Sequence, residues 1–548
     1  MMAAHLRSAL GALLLAAVPA MVATQSLDPS KIPFGETPRD MWPTYYGDYS
    51  GRRYSPLDQI NQSNVKHLSL AWVYRANPSS SPANVGGFGP ESGSIGGGGA
   101  IQIKATPLMV DGVLFFTAPD HVWAVNAYTG DEIWHYSWRA TGGLHIGNRG
   151  LGMWRDTLFF GTPDNYLVAL DARTGKERWN RQIASVRQDY FTTVAPLVIR
   201  NTVVVGVGGD FLDVPGFLEG REPESGEVKW RWFTTPRPGE PGSETWPGEE
   251  AMTHGGGMTW LPPTYDPALN LLYLGTGNPN PVLVGQTRAG DNLWTCSIVA
   301  IDPDTGKMKW YYQVSPHDTH DWDAAQTPLL VDGDFGGRPR KLLLQAARNG
   351  FYFVLDRTNG EHLLTTTLID TANWYSSINA QGQPIPNPEK ESKLEGVLVS
   401  PNTSGATNWH PPSFNPVTGL HYVGTMESYT IFYKTDPTMG AQGYSAQERS
   451  GGNIRGLLKA IDYQTGKAKW TFPTANGSQG LLSTAGQLLF ASDGRNDFIA
   501  FNAATGTPLW HTKLPYEKSN APITYMLGGR QFVLVGAGDE LFAFAVNN

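Results

Sequence analysis

The stretch Ile301-Asp302-Pro-Asp-Thr-Gly306-Lys-Met-Lys-Trp310 decides the fold of this chain, because its spacing recurs along the sequence. An apolar run ends in Asp or Asn, Gly follows four residues later, and Trp four residues after that. The other full copies lie at 126–134, 171–179, 462–470 and 502–510. A sixth copy at 222–230 begins with Glu, and a seventh at 356–360 lacks the Trp. Each predicts a strand, a turn capped by the Asx side chain with Gly in the left-handed conformation, and a second strand.

The period of the repeat predicts the architecture. Successive turn glycines are 45, 51, 80, 54, 106 and 40 residues apart, so most intervals equal one or two units of forty to fifty residues. Periods of this size with several strands per unit are typical of a β-propeller. We therefore expect an all-β chain in which residues 24–548 form a single propeller domain.

The composition of the chain limits the classes of function that it can have. The chain has 63 Gly, 40 Pro and 18 Trp but only 16% charged residues, which suits tight turns between buried strands. Its formal charge is −8 and no Lys/Arg run occurs, which argues against nucleic acid or an anionic membrane as the main partner. A small neutral substrate fits better.

Residues 1–23 are predicted to be a cleavable export signal. An apolar stretch at 9–18 follows a His and an Arg, and small residues come after it. An uncleaved anchor is the alternative, although the stretch is short for a membrane span. No second apolar segment near twenty residues follows, so we expect a soluble mature chain in the periplasm or outside the cell. Cys296 is the only cysteine, which excludes an intrachain disulfide and predicts a buried thiol.

Several segments carry polar residues that blade packing does not require. They are Gly-Asn-Arg149, Gly-Gly-Asp210, Gly-Gly-Gly-Met-Thr-Trp260, Gly-Thr-Gly-Asn278, His-Asp-Thr-His-Asp-Trp-Asp323, Ala-Arg348 and Asn-Trp409. With the Trp repeats, they resemble the pyrroloquinoline quinone (PQQ)-dependent alcohol dehydrogenases, and the resemblance extends over essentially everything after residue 40. It implies an eight-bladed propeller with the quinone and a Ca²⁺ or lanthanide ion at its axis.

The resemblance also implies which residues hold the quinone. Trp260 is expected to stack on the flat ring, which offers a large apolar contact at low entropic cost. Arg149 and Arg348 are expected to face the carboxylates and the reactive carbonyl oxygen, where a guanidinium donates bidentately and stabilises developing negative charge. Three more cofactor contacts are implied: Thr193, Asn408 and Trp409.

A carboxylate pair is implied to serve catalysis and metal binding. Asp321 matches the general base that takes the alcohol proton and touches the metal, and Asp323 matches a carboxylate associated with lanthanide use in some members. If 321–323 is extended, both carboxylates project from one side of the strand, and a hard cation or a proton must lie between them. Arg348 joins Asp321 as the expected catalytic pair.

The remaining metal ligands are only partly defined by the resemblance. Asn278 matches an amide ligand, a neutral oxygen donor suited to Ca²⁺ or a lanthanide. The usual Glu ligand aligns with Phe211, so either Asp210 or Asp213 must substitute if the metal is kept, and Asp210 is favoured.

Other positions depart from the family pattern. Gly143 and Leu144 occupy the places of adjacent cysteines that commonly cover the quinone. Lys104 stands where a Glu normally contacts the cofactor, within a string closer to the glucose dehydrogenase branch. Ser478 aligns with a Trp above the substrate pocket, which suggests a roomier site.

The expected function is an exported quinoprotein dehydrogenase that oxidises an alcohol, polyol or sugar hydroxyl. The chain has no Cys-X-X-Cys-His string, so a periplasmic cytochrome c or another external carrier must take the electrons. A non-catalytic Trp-repeat propeller that acts as an envelope scaffold is the alternative, and a related sugar dehydrogenase is a third possibility.

Overall fold

The computed structural model describes residues 25–76, 102–143, 146–188, 190–209, 214–435, 446–475, 477 and 479–546. The predicted export signal at 1–23 lies outside these residues. Within them the chain forms eight sheets of at least four strands, antiparallel apart from one parallel pair at a sheet edge, together with one small hairpin and a single six-residue α-helix, α1 (Glu249–His254). The eight sheets confirm the predicted eight-bladed, all-β propeller, and we number them as blades 1 to 8 in chain order.

The first four blades use consecutive strands. Two strands precede them: β1 (Tyr54–Ser55) and β2 (Leu68–Arg75). Blade 1 contains β3 (Leu108–Val110), β4 (Val113–Ala118), β5 (His121–Asn126) and β6 (Glu132–Ser137). Blade 2 contains β7 (Gly152–Trp154), β8 (Thr157–Gly161), β9 (Tyr166–Asp171) and β10 (Glu177–Gln182). Blade 3 contains β11 (Leu197–Ile199), β12 (Thr202–Gly206), β13 (Phe217–Arg221) and β14 (Val228–Phe233). Blade 4 contains β15 (Thr264–Asp266), β16 (Leu271–Gly275), β17 (Ser297–Ile301) and β18 (Met308–Gln313).

The second half adds small elaborations. Blade 5 contains β19 (Leu329–Phe335), β20 (Arg338–Ala346), β21 (Phe351–Asp356) and β22 (Glu361–Thr367). The hairpin β23 (Tyr375–Ile378) and β24 (Pro384–Pro386) and the strand β25 (Val397–Val399) follow. Blade 6 contains β26 (Ser413–Asn415), β27 (Leu420–Lys434), β28 (Ala446–Asp462) and β29 (Lys467–Thr474), and β25 extends it by pairing with β27. Blade 7 contains β30 (Leu482–Thr484), β31 (Leu488–Ser492), β32 (Asp497–Asn502) and β33 (Pro508–Lys513).

Blade 8 combines one strand from the N-terminal part of the chain with three strands from the C-terminal part, which closes the ring. Its strands are β34 (Ile523–Leu527), β35 (Arg530–Ala537), β36 (Glu540–Val546) and β2, which pairs antiparallel with β36. The N-terminal segment also joins blades, because the Arg53 guanidinium donates to the carbonyl oxygens of Leu481 and Pro522 at 2.9 and 2.6 Å. Pairing β2 with β36, the last strand, joins the two ends of the ring.

Burial follows position within a blade. Inner strands such as β4, the second strand of blade 1, and β17, the third strand of blade 4, are buried along their whole length, whereas fourth strands such as β6 have exposed and half-buried residues. Cys296 is buried beside this core, as predicted. The blades therefore pack face to face through apolar side chains.

The repeat motif joins most blades to the next. The Trp230 indole nitrogen in blade 3 donates to the carbonyl of Pro303 in the turn of blade 4 at 2.8 Å. A β-carbon added at Gly306 of that turn would lie 2.6 Å from the Trp230 ring, and its φ of +69° also favours glycine. Equivalent Trp–Gly contacts join Trp72 to Gly130, Trp134 to Gly175, Trp179 to Gly226, Trp310 to Gly360 and Trp470 to Gly506. The strand–turn–strand prediction is confirmed, and the motif spacing reflects docking between neighbouring blades.

Candidate active site

The predicted site residues occupy two kinds of position in the blades. Arg149, Thr193, Trp260 and Asp323 lie in segments that lead into the first strand of blades 2, 3, 4 and 5. Two more follow the second strand of their blades: Asn278 and Arg348. Equivalent positions in different blades of a ring converge on one region, and the contacts described below join these residues.

An aromatic and cationic group forms one part of the site. The Arg149 guanidinium carbon lies 4.7 Å from the centroid of the Trp260 ring and 5.0 Å from that of Trp409. It also donates to the Thr193 hydroxyl. These contacts combine a cation, two aromatic faces and a hydroxyl, which suits a flat ring with carboxylate substituents.

Asp323 is a fully buried carboxylate that accepts three hydrogen bonds. Its donors are the Asn278 backbone N–H at 2.6 Å, the Trp260 indole N–H at 2.8 Å and the Arg348 guanidinium at 3.1 Å. Burial raises the pKa of the Asp323 carboxyl, while the positive charge of Arg348 and the hydrogen bonds act in the opposite direction. The Asp323 carboxylate thereby links Trp260, the predicted ring-stacking residue, to the Asn278 backbone N–H and the Arg348 guanidinium.

Arg348 bridges the two carboxylates. One terminal nitrogen donates to Asp323 and the other to Asp321, each at 3.1 Å. The guanidinium is itself held by the carbonyl of Thr403, with its Nε at 3.0 Å and one terminal nitrogen at 2.6 Å. A clamped guanidinium offers fixed positive charge beside Asp321, which stabilises the ionised carboxylate.

The condition that 321–323 is extended is not met. Asp321 has a φ of +66°, and the segment lies outside every strand. A non-glycine residue in the left-handed region is uncommon, and such residues concentrate at functional sites. The two carboxylates still reach one cation, but that cation is the Arg348 guanidinium, which separates the like charges.

Asn278 has the chemistry of a cation ligand. Its Oδ1 is buried and accepts no hydrogen bond from the described residues, while its Nδ2 donates to the carbonyl of Pro279 at 3.2 Å. A buried amide oxygen without a donor is costly unless a ligand satisfies it. The described residues contain no group of three or more His, Cys, Asp or Glu that could hold a metal. Among these residues, the candidate oxygen donors are the Asn278 amide and the carboxylates of Asp321 and Asp323. These oxygen donors fit Ca²⁺ or a lanthanide.

Comparison with known proteins identifies the family. Residues 42–393 and 474–533 match the family model described as PQQ: glucose/ethanol/alcohol dehydrogenase, beta-propeller domain. The chain belongs to this PQQ-dependent dehydrogenase family. The resemblance inferred from the axial motifs is therefore confirmed.

Individual relatives of the PQQ-dependent family match most of the chain. Quinohemoprotein alcohol dehydrogenase ADH IIB of Pseudomonas putida is 35% identical, over 95% of this chain and 77% of its own length. Quinoprotein alcohol dehydrogenase PedH, also of Pseudomonas putida, is 34% identical over 89% of this chain and 84% of its own. The crystal structure of the Comamonas testosteroni quinohemoprotein alcohol dehydrogenase has a TM-score of 0.85 and 33% identity, covering 96% of this chain and 83% of that one. A europium-containing methanol dehydrogenase has a TM-score of 0.80 and 29% identity, covering 92% and 98%.

Some predicted residues of this PQQ-family chain stand apart from the contacts above. Asn408 uses its amide within its own loop, donating to the Ser404 carbonyl and accepting from the Trp409 N–H, each at 2.8 Å. Asp210, its alternative Asp213 and the residues Leu144 and Ser478 lie outside the described residues. The choice of an acidic ligand in place of the usual Glu therefore stays a prediction.

The structure adds residues that the sequence did not predict. The Thr403 carbonyl orients Arg348, and the Gln326 side chain accepts from the Arg348 backbone N–H at 3.1 Å. His410 stacks on Trp409 with a centroid distance of 3.8 Å. His410 directly follows Trp409, a predicted cofactor contact, so its position in the sequence could have indicated a role at the site. The backbone carbonyl of Thr403 could not be predicted in this way, because a carbonyl leaves no trace in the residue type.

Proposed function

We propose that this chain is an exported quinoprotein dehydrogenase that oxidises an alcohol hydroxyl with PQQ and a bound Ca²⁺ or lanthanide ion. Its electrons would pass to an external acceptor such as a periplasmic cytochrome c. The observation that carries the proposal is the continuous set of contacts from Arg149 through Trp260 and Asp323 to Arg348 and Asp321. Family membership and the alcohol dehydrogenase names of the relatives support it.

The residues divide the work between binding and proton transfer. Trp260 and Arg149 would hold the quinone ring and its carboxylates, and Asn278, Asp321 and Asp323 would hold the cation, with Asp210 as a further proposed ligand. When bound, the quinone accepts the electrons of alcohol oxidation and the cation increases its electrophilicity. Thr193, Asn408 and Trp409 are proposed as further cofactor contacts.

Asp321 is the proposed general base. Its carboxylate faces the fixed guanidinium of Arg348 at 3.1 Å, and the residue is 9% exposed, so a positive charge lies beside a carboxylate that is not fully buried. It would accept the proton of the alcohol hydroxyl, and the bound quinone would supply the acceptor for the hydride from the carbon that bears this hydroxyl, which leaves a carbonyl product. Arg348 would orient Asp321 and stabilise negative charge that develops on the cofactor.

The location of the mature chain follows from the proposed export signal at 1–23. Among the helices that the structure describes, none has the length and apolarity needed to cross a membrane. The relatives' names fit a cytochrome-type or quinone-type acceptor, and we extend such an acceptor to this chain as part of the proposal.

The test is reconstitution of the purified full chain. PQQ is titrated into apo-protein with Ca²⁺ or La³⁺, and dye-coupled oxidation of ethanol, 1-butanol, a polyol and glucose is measured. We expect PQQ binding and turnover of a primary alcohol. Trp260→Leu should weaken PQQ binding about tenfold, and Trp260→Phe, which keeps an aromatic face, should weaken it less. Absence of both PQQ binding and turnover with either metal would instead favour the envelope scaffold.

A further inference from the structure

Two lysines lie on neighbouring axial segments that the proposed function does not use. Lys104 precedes blade 1 and Lys518 precedes blade 8. The carbonyl oxygens on either side of Lys104 accept hydrogen bonds from the Ser519 hydroxyl and the Asn520 amide, each at 2.9 Å. Ring closure therefore fastens the two lysine-bearing segments to each other, although 414 residues separate the lysines in sequence.

The same segment is joined to the quinone site. The Lys104 ammonium donates to the carbonyl of Ile146 at 2.8 Å, and the Thr106 backbone N–H donates to the carbonyl of Arg149 at 3.1 Å. Arg149 is the residue that lies over Trp260 and Trp409. Lys104 is thus two residues from Thr106, which is hydrogen-bonded to Arg149, the proposed cofactor contact.

Positive charge accumulates around His410. Burial lowers the pKa of the His410 imidazole well below its usual value, and the charged groups that lower it further are Lys518, Lys104 and Arg149. The Lys518 ammonium donates to the carbonyl of Gly480 at 2.5 Å, and burial together with the nearby charge of Arg53 lowers its pKa to about 7. Partly buried cations in such a group repel one another, and an anion between them would offset that cost.

Resting on the proposed function, we propose that Lys104 and Lys518 form a carboxylate-binding subsite beside the quinone site. Both lysines are partly exposed, so a ligand can reach them. The carboxylate comes either from the quinone cofactor or from an alcohol substrate that itself carries a carboxylate. A neutral alcohol offers no group that matches two ammonium ions, whereas a carboxylate forms charge-assisted hydrogen bonds with each.

The first experiment tests the cofactor as the source. PQQ is titrated into the full-length apo-protein, with quenching of tryptophan fluorescence as the signal, for the wild type, Lys104→Gln, Lys518→Gln and the control Lys176→Gln. Lys176 is an exposed lysine in a turn of the outer ring, so its substitution removes the same charge elsewhere. If the cofactor supplies the carboxylate, the Kd for PQQ rises about tenfold or more in both site variants and stays unchanged in the control.

The second experiment tests the substrate. With the reconstituted enzyme, kcat/KM is measured for 4-hydroxybutyrate and for 1-butanol. If the substrate supplies the carboxylate, both site variants lose about tenfold or more on the hydroxy acid and keep their activity on butanol and their affinity for PQQ. Lys104→Arg and Lys518→Arg, which keep the positive charge, should restore much of whichever loss is seen.

Site variants that match Lys176→Gln in both experiments would overturn the subsite. If a Gln variant fails to fold, the wild type provides a test without substitution: butyrate, and not butyramide, should compete with PQQ or with butanol, and no difference between the two would also overturn it. A wild type that binds no PQQ and oxidises no alcohol would overturn the proposed function itself. The two failures are therefore distinguishable.

Discussion

The outer ring and the axial site of this propeller are built in opposite ways. In the ring, one contact is repeated from blade to blade: a Trp on the fourth strand packs against the Gly of the neighbouring turn, as Trp230 does against Gly306. Among the described axial residues no contact is repeated. Asp323, Trp260 and Arg348 come from different segments, and each makes a different bond.

This difference shows how stability and chemistry are separated in one domain. The ring contacts distribute stability over many equivalent interfaces of buried aromatic surface. The axial groups include two carboxylates, a guanidinium and an unsatisfied amide oxygen, which favour ligand binding over stability. Substitutions at the axis should therefore change activity more than stability, and substitutions in the ring should do the reverse.

The strongest test of this separation is Asp321→Asn. Loss of the proposed general base should lower kcat by about 10²–10⁴-fold, while the melting temperature changes little, because the Asn side chain can keep the position of the carboxylate. Dye-coupled turnover and thermal unfolding are measured together. Asp58→Asn, at an exposed position, is the control, and turnover equal to that of the control would show that another group takes the proton.

The matching ring substitution is Trp230→Ala. Removal of this buried indole should lower the free energy of unfolding by about 3–5 kcal/mol and leave kcat per folded molecule near that of the wild type. Chemical denaturation and active-site titration provide the two values. Trp230→Phe, which keeps a ring and loses the hydrogen bond to Pro303, should cost less. A kcat loss comparable to that of Asp321→Asn would show that stability and catalysis are not separated between the ring and the axis.

The affinity for a metal ion tests the role of an axial residue directly. Asn278→Leu removes the buried amide oxygen at similar volume, so the affinity for Ca²⁺ or Tb³⁺ should fall about tenfold or more. Calorimetry or terbium luminescence measures the change. Asn180→Leu, on the outer strand β10, should leave metal affinity unaltered. Unchanged affinity in Asn278→Leu would remove Asn278 from the ligand set.

The smallest expected effect concerns pH at a contact between blades. His421 of blade 6 lies 3.2 Å from the Tyr352 hydroxyl of blade 5, and burial lowers the pKa of its imidazole to about 3. In the unfolded chain the His421 imidazole takes up a proton below its ordinary pKa of about 6.5, whereas in the folded chain it stays neutral. This group therefore lowers the stability of the fold as the pH falls below about 6.5.

His421→Gln should remove that contribution. Between pH 7 and pH 5.5, the variant should lose about 1 kcal/mol less unfolding free energy than the wild type. Urea unfolding at both pH values measures the difference, and turnover at pH 7 serves as a check on the axial site. Identical losses in the two proteins would show that the buried imidazole is not responsible for acid sensitivity.

The fold was predictable from short-range patterns, and the site only in part. Asp302, Gly306 and a Trp at fixed spacing supply both the residues that form the turn and the residues that dock one blade on the next. The period of this motif therefore predicts the blades. Motif strings placed Trp260 and Arg348 among the candidates. They did not predict that Arg348 would bridge both carboxylates, because that depends on the left-handed backbone at Asp321 and on the Thr403 carbonyl.

By itself, the sequence determined the strand–turn–strand unit, the number of residues per blade and the chemical types available at the axis, because these depend on local conformational preferences and residue spacing. Only the tertiary structure decided which groups meet. Lys104 and Lys518 become neighbours through closure of the ring, and Asp323 meets Trp260 and Arg348 across blades. Contacts between distant segments depend on how every blade between them packs, and a local sequence pattern does not contain that information.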